Sequence, residues 1–274
     1  MQKSINLYQK DINSVVEKDG EALLNKEENK RVSFWAIGDL HLSLGMREDK
    51  RKPMDQFGDY WIQHAAKIAH QWCSKVQEED VVLLAGDLFW GNRLDEAEFV
   101  LNWLGCLPGQ KVLIRGNHDN WWQSITKLRD MLPEGMYAIQ NDCVVIQGVA
   151  IAGTRGWSFC DPEGLEHQEK MLKRETARLE VSLSHIPETV EERIALLHYP
   201  PFPNDGPSGE NVALLEKYAV QTCVFGHLHG EEAERFCDVK KNGIHYLLVS
   251  ADNLDFSPVC IYNTIYKRDR ARYY

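Results

Sequence analysis

One punctuation mark recurs five times in this chain and constrains it more than any other feature. A short apolar run ends, the chain turns, and a residue of the kind that binds metal ions follows. Runs 33–37, 81–85 and 111–114 lead into Gly38-Asp39-Leu40-His41, Gly86-Asp87 and Gly116-Asn117-His118-Asp119. Run 194–197 leads directly into His198, and run 220–225 into Gly226-His227-Leu228-His229. Short apolar runs bounded by turn signals read as buried strands. Segments of helical spacing separate them, so the fold class is α/β. In open α/β sheets, sites form outside the carboxyl ends of the strands. Glycine there permits a sharp turn and a close backbone approach.

Five such ends on one rim gather two Asp, one Asn and four or five His. So many titratable groups in a small volume need a counter-charge. Carboxylate oxygens and neutral imidazoles suit a pair of divalent cations, which one aspartate can bridge. Nitrogen and oxygen donors without thiolate favour Mn, Fe or Zn over Ca or Mg. Asp39-x-His41 and His227-x-His229 each place two side chains on one face of a strand end.

Between the blocks, Ile62, Ala65, Ala69, Trp72 and Val76 predict a helix over 56–76. Asp95 and Glu98 resemble a capping pair for a helix carrying Val100, Leu101 and Leu104. Residues 121–132 read as a helix stopped by Pro133. Segments 143–146 and 149–152 around Gln147-Gly148 read as a β-hairpin. A long helix over 165–184 turns Leu165, Leu172, Leu179 and Leu183 inward. Strands at 194–197, 220–225, 244–249 and 259–266 fill the last third, around a Pro- and Gly-rich loop at 200–209. Residues 1–30 are polar and predict a helical extension ahead of one domain spanning 31–274.

The net charge of −10 argues against nucleic acid as a partner. The basic clusters 50–52 and 267–272 read as solvated loops. No apolar run approaches the roughly 18 residues of a membrane span, and residues 1–30 carry no secretory apolar stretch. The cysteines number seven, are scattered and form no CxxC, which points to reduced thiols in the cytoplasm.

The ordered set Asp39-x-His41, Gly86-Asp87, Gly116-Asn117-His118-Asp119, His198 and Gly226-His227-x-His229 resembles the calcineurin-like metallophosphoesterase superfamily. The resemblance runs from Arg31 to the C-terminus. It implies a metallophosphoesterase-type four-layer α/β/β/α sandwich with two mixed central sheets. It also implies that Asp39, His41 and His229 hold one metal, that Asn117, His198 and His227 hold a second, and that Asp87 bridges them. His118 would face the leaving group, with Asp119 orienting its ring. The implied enzyme is a phosphohydrolase in which a metal-bridging hydroxide attacks a small phosphomonoester or phosphodiester. A protonated His118 would donate to the leaving oxygen.

Arg115 and Arg155 are weaker candidates for contact with substrate phosphate, and Arg115 reads equally as an ion-pair residue. Trp90, Trp121 and Trp122 would either wall the site or pack in the core. Trp90 stands where many relatives carry an acidic residue, which argues against phosphoprotein-phosphatase chemistry. His64, His70, His167, His185 and His245 lie outside the blocks and read as structural. Two alternatives stay open: a nuclease of the same superfamily, disfavoured by the acidic charge, and a non-catalytic scaffold, disfavoured by the complete ligand set. Specificity would sit in loops 46–55, 90–94, 155–163 and 200–211. Self-association through the N-terminal extension also stays open.

Overall fold

The computed structural model describes residues 30–157, 165–203, 206–265 and 271–274. The expected extension, save Lys30, lies outside the described residues. So do Cys160, Tyr266 at the end of the last expected strand, and parts of loops 155–163 and 200–211 and of the basic cluster 267–272.

Two sheets form the centre. In the first, β1 (Arg31–Ile37), β2 (Val81–Leu84), β3 (Gln110–Leu113) and β4 (Met136–Ala138) run parallel. Strand β11 (Val259–Ile265) closes its edge antiparallel to β1. In the second, β5 (Cys143–Ile146) and β6 (Val149–Thr154) make the expected hairpin. Its turn residues Gln147 and Gly148 have φ of 53° and 75°, the left-handed pair that a two-residue hairpin favours. Strands β6, β7 (Glu192–Leu197), β8 (Thr222–Phe225) and β10 (Ile244–Leu248) run parallel. Strands β9 (Asp238–Lys241) and β12 (Arg272–Tyr273) pair antiparallel at the edges.

Helices cover both outer faces. Helices α1 (His64–Lys75), α2 (Leu94–Gly105) and α3 (Ile125–Met131) pack Ile68, Trp72, Leu101 and Leu128 against Leu84 and Leu113 of the first sheet. Helices α4 (Leu165–Ser184) and α5 (Glu210–Lys217) pack Leu179, Leu183 and Leu215 against Ala152, Leu197 and Phe225 of the second. Between the sheets, Phe34, Leu83 and Val112 meet Ile151, Leu196 and Val224. The result is the expected four-layer sandwich with two mixed sheets. Strand β2 explains its own unbroken apolar run: Val82 and Leu84 face the helices while Val81 and Leu83 face the other sheet. Each such fully buried side chain contributes about 1.5–3 kcal/mol.

Several local expectations need correcting. The helix over 56–76 is three pieces: 3-10 turns at Met54–Phe57 and Asp59–Trp61, then α1. Gly58 at φ 140° and Gln63 at φ 55° interrupt it, and the apolar spacing from Ile62 onward runs across the second of these breaks. Helix α2 is capped by Glu96, whose carboxylate accepts from the backbone N–H of Asn92 (3.0 Å) and Arg93 (3.3 Å). Asp95 instead pairs with the Arg93 guanidinium. Helix α3 starts after Ser124, whose Oγ accepts from Lys127 N–H, so Trp121 and Trp122 precede it. The inner face of α4 carries buried Gln168 and Glu175 beside Leu179 and Leu183. Strands β4, β9 and β12 and helix α6 (Gly230–Glu234) are too short for periodicity to show. No helix among the described residues is long and apolar enough to cross a membrane.

Candidate metal centre

The turn blocks leave β1, β2, β3, β7 and β8 and are joined to one another by backbone hydrogen bonds. Asp39 N–H donates to Gly86 O (2.9 Å) and His41 N–H to Asp87 O (2.9 Å). Gly226 N–H donates to His198 O (3.0 Å). Gly38 N–H reaches Val249 O (2.7 Å) just beyond β10, which ties one sheet to the other at the site.

Side-chain direction comes from unusual backbone. Asp39, His41, Asp87 and His227 have φ of 53°, 46°, 52° and 73°. Left-handed backbone is uncommon outside glycine, though Asp and His tolerate it better than most, and residues held there cluster at functional sites. Two glycines make the close approach possible. A Cβ on Gly116 would stand 2.1 Å from Asp87 Oδ1, and one on Gly226 2.2 Å from Asp39 Oδ2.

Those turns bring all seven expected ligands together. Asp39 Oδ2 accepts from His227 N–H at 3.0 Å. Asp39 Oδ1 is buried without a hydrogen-bond partner and lies 3.7 Å from His229 Nε2. Asp87 Oδ1 accepts from His118 N–H at 2.7 Å. Its Oδ2 faces His198 Nε2 at 3.6 Å and His41 Nε2 at 3.9 Å. These separations are too long for hydrogen bonds and suit pairs of ligands on one ion. The ligand atoms of Asp39, His41 and His229 lie within 4.8 Å of one another, as do those of Asp39, Asp87 and His198. Asn117 Oδ1 sits 2.5 Å from His198 Nε2 and 3.1 Å from His227 Nδ1.

Outer contacts set which ring nitrogen is bare. His198 Nδ1–H donates to Ala85 O at 2.9 Å, so in the neutral ring Nε2 is the bare nitrogen and faces the Asn117 oxygen. Two lone pairs in opposition are repulsive, and a shared cation relieves them. His229 Nδ1–H donates to Asp252 Oδ1 at 2.9 Å, the carboxylate–histidine arrangement common behind metal ligands. Asp252 escapes the sequence reading because no glycine marks it. Its signal is a sixth strand end, in Ser250-Ala251-Asp252 after run 244–249.

The electrostatics fit the same occupant. Burial pushes His41 down to about 3, against the pull of Asp39. Burial and then the His198 charge push His227 down to about 3, so both rings are neutral and able to ligate. Burial raises Asp39, yet the neighbouring His229, followed by the other imidazoles around it, holds it well below the carboxylate range. Burial opposes a proton on His229, but Asp252 and Asp39 raise it to about 10. Burial lifts Asp87 to about 7; His198 opposes this, while Asp119 and Asp39 add to it. Two buried carboxylates, one of them with an orphaned Oδ1, four imidazoles and one amide oxygen form a donor set that divalent cations match.

His118 is half-exposed beside this cluster, its ring 4.6 Å from that of Trp90. Burial and then the Lys52 charge lower it to about 4. Asp119 does not orient its ring, contrary to expectation. Asp119 Oδ2 accepts from the N–H groups of Gly116 (2.7 Å) and Asp87 (2.8 Å). Its Oδ1 accepts from Leu88 (2.9 Å), Phe89 (3.3 Å) and Trp121 Nε1 (2.9 Å). Five donors occupy both oxygens, and the carboxylate serves to bind the Asp87 turn to the Asn117 turn.

Arg115 and Arg155 stand outside the cavity over the cluster. Arg115 Nε is buried without a hydrogen-bond partner. Arg155 Nη2 lies 3.8 Å from Glu175 Oε1, and its carbonyl accepts from His198 N–H. Trp121 and Trp122 are core residues, while Trp90 lines the cavity. Among the structural histidines, His64 Nδ1–H meets Trp61 O and His245 pairs with Asp238.

A family model described as calcineurin-like phosphoesterase matches residues 32–231. The Gene 66 protein of Mycobacterium phage L5 is 33% identical over 85 residues, covering 31% of this chain and 39% of that protein. The Gene 66 protein of Mycobacterium phage D29 is 35% identical over 87 residues, covering 32% and 40%. The match thus spans less than half the length of these curated relatives. Among solved structures, a protein of unknown function from Aquifex aeolicus superposes with a TM-score of 0.42 at 15% identity, covering 83% of this chain and 95% of that one. The GAP50 anchor in the inner membrane complex of Plasmodium gives 0.46 at 10% identity, covering 81% and 72%.

Proposed function

Since the chain belongs to the calcineurin-like phosphoesterase family, we propose that it is a dinuclear metal-dependent phosphohydrolase acting on a small phosphomonoester or phosphodiester. One observation carries this reading: the Asp39 and Asp87 carboxylates face imidazole nitrogens at distances that leave room for cations but not for hydrogen bonds. Asp39, His41 and His229 would hold one ion, and Asn117, His198 and His227 the other. Asp87 lies between the sets, with His41 and His198 both facing its Oδ2. Divalent cations bound there supply Lewis acidity toward phosphoryl oxygens and a nucleophile from water at neutral pH.

The chain's own residues do the rest. Ala85 O and Asp252 fix the rings of His198 and His229. His118 stands at the cavity wall, where its ring meets the leaving oxygen. It is neutral in the free protein, and an anionic phosphoryl group beside it favours the imidazolium needed to donate a proton. Mn, Fe and Zn fit the nitrogen and oxygen donors. The free thiols of the six described cysteines support a cytoplasmic chain.

The test is to load the chain with Mn²⁺, Fe²⁺ or Zn²⁺, count bound ions, and assay small phosphomonoesters against phosphodiesters. We expect bound metal and hydrolysis, both depressed in Asp87→Asn. Bound metal with no ester cleaved under any of the three ions refutes the reading. Cleavage of DNA ends alone would favour the nuclease.

A further inference from the structure

The cavity over the Asp/His cluster is larger than a phosphoryl group requires, and its far wall is aromatic. It encloses about 440 Å³, within the range of sites that hold whole small molecules. Besides the ligand cluster it is lined by Met54, Phe57, Tyr60, Trp61 and Trp90, with no Val, Leu or Ile among the described lining residues. That composition suits a flat ring better than an alkyl chain, because aromatic faces stack on conjugated rings.

Two of these rings stand about half exposed, Tyr60 also tilting against Trp61 at 6.1 Å and Phe256 at 6.5 Å. Phe57 is 55% and Tyr60 49% exposed, which forfeits the stabilisation that burial gives a ring. The turn between them depends on Gly58, at φ 140°, where a Cβ would stand 2.3 Å from Tyr60 Cε1. Lys67 Nζ holds the turn by donating to Tyr60 O at 2.7 Å. Trp90 is not free: His41 stacks on it at 4.7 Å, and Lys52 Nζ sits 3.7 Å from its ring centre. Lys52 also places a positive charge beside the aromatic wall, complementary to a phosphate ester.

We propose that the ester cleaved here carries a flat conjugated ring of the nucleobase type on its leaving group, and that Phe57 and Tyr60 receive that ring at the cavity mouth. The proposal rests on the phosphohydrolase reading and names the substrate class for the same site. Phe57 and Tyr60 set specificity without touching the scissile bond.

Adenosine 5′-phosphate and ribose 5-phosphate share one leaving oxygen and differ only by the base, so their kcat/KM ratio isolates the ring. The methyl diesters of both give the same comparison for a diesterase. In the metal-loaded full chain, stacking predicts a preference for the adenosine ester of roughly 5- to 150-fold. The ratio should fall toward one in Phe57→Ala and Tyr60→Ala and persist in Tyr60→Phe. Isothermal titration with adenosine, which has no ester to cleave, should show binding that Tyr60→Ala removes. Cleavage of both esters at a ratio near one, or a ratio indifferent to both alanine variants, overturns the ring site while the hydrolase stands. Tighter binding of octyl phosphate than of adenosine 5′-phosphate also overturns it. Tyr60-dependent adenosine binding with no ester cleaved keeps the ring site and refutes the hydrolase.

Discussion

Replacing Asp119 by Asn separates a structural tie from a catalytic one. The native carboxylate is fully buried and accepts five hydrogen bonds, two at Oδ2 and three at Oδ1. All five partners are donors, so the ionised form is the one that fits. An amide has one oxygen. In its better orientation the new NH₂ group faces the N–H groups of Asp87 and Gly116, which lose their acceptor. Hydrogen bonds to a charged group contribute about 1.5–3 kcal/mol each, so two losses cost about 3–6 kcal/mol. Removing a buried charge returns part of this, leaving a net loss of about 2–5 kcal/mol against a typical domain stability of about 5–15 kcal/mol. The variant should also bind metal poorly, because the Asp87 and Asn117 turns lose their common anchor. Urea unfolding followed by tryptophan fluorescence, with counted bound metal, measures both effects. A variant within about 0.5 kcal/mol of the native chain, with full metal content and slowed turnover, would refute the anchor and restore a ring-orienting role.

His118→Asn should retain its metal and slow hydrolysis by about 10²–10⁴-fold, most for esters with poor leaving groups; loss of metal on analysis would make His118 a ligand. Lys111 is buried in β3, and burial lowers it to about 8 from 10.5. Between those values the unfolded chain binds more protons than the folded one, so stability rises with pH across that window. Lys111→Met should add about 1–3 kcal/mol at pH 7 and flatten that rise, as denaturation at pH 7 and 10 would show. Burial pushes the Cys143 thiol up to about 12 and raises Cys223 as well, while Cys73, Cys106, Cys237 and Cys260 are exposed. A disulfide reagent at pH 8 should therefore label these four in the native chain, and Cys143 and Cys223 only after unfolding.

Local features were legible where they depend on nearby residues. The hairpin at Gln147-Gly148 needs only a left-handed pair between two apolar runs. The break at Gln63 was not legible, because Ile62, Ala65 and Ala69 keep a helical rhythm across it, although Ile62 ends 49% exposed. Trp121 and Trp122, next to the Asn117 block, read from sequence either as wall or as core residues. Their ring nitrogens find Asp119 and Gln140, and both rings are core.

By itself the sequence determined which residues end the strands, because buried runs and glycine turns are written in consecutive residues, and with them came the ordered ligand set. Only the tertiary structure decided which atoms meet. His118 N–H finds Asp87 across 31 positions, His227 Nδ1 finds Asn117 across 110, and His227 N–H finds Asp39 across 188. Those meetings depend on strand order and register in two sheets, which no local pattern encodes. The Asp252 contact behind His229, the anchoring work of Asp119 and the ring pair at the cavity mouth arise the same way, from chain segments that become neighbours only after the sheets pack.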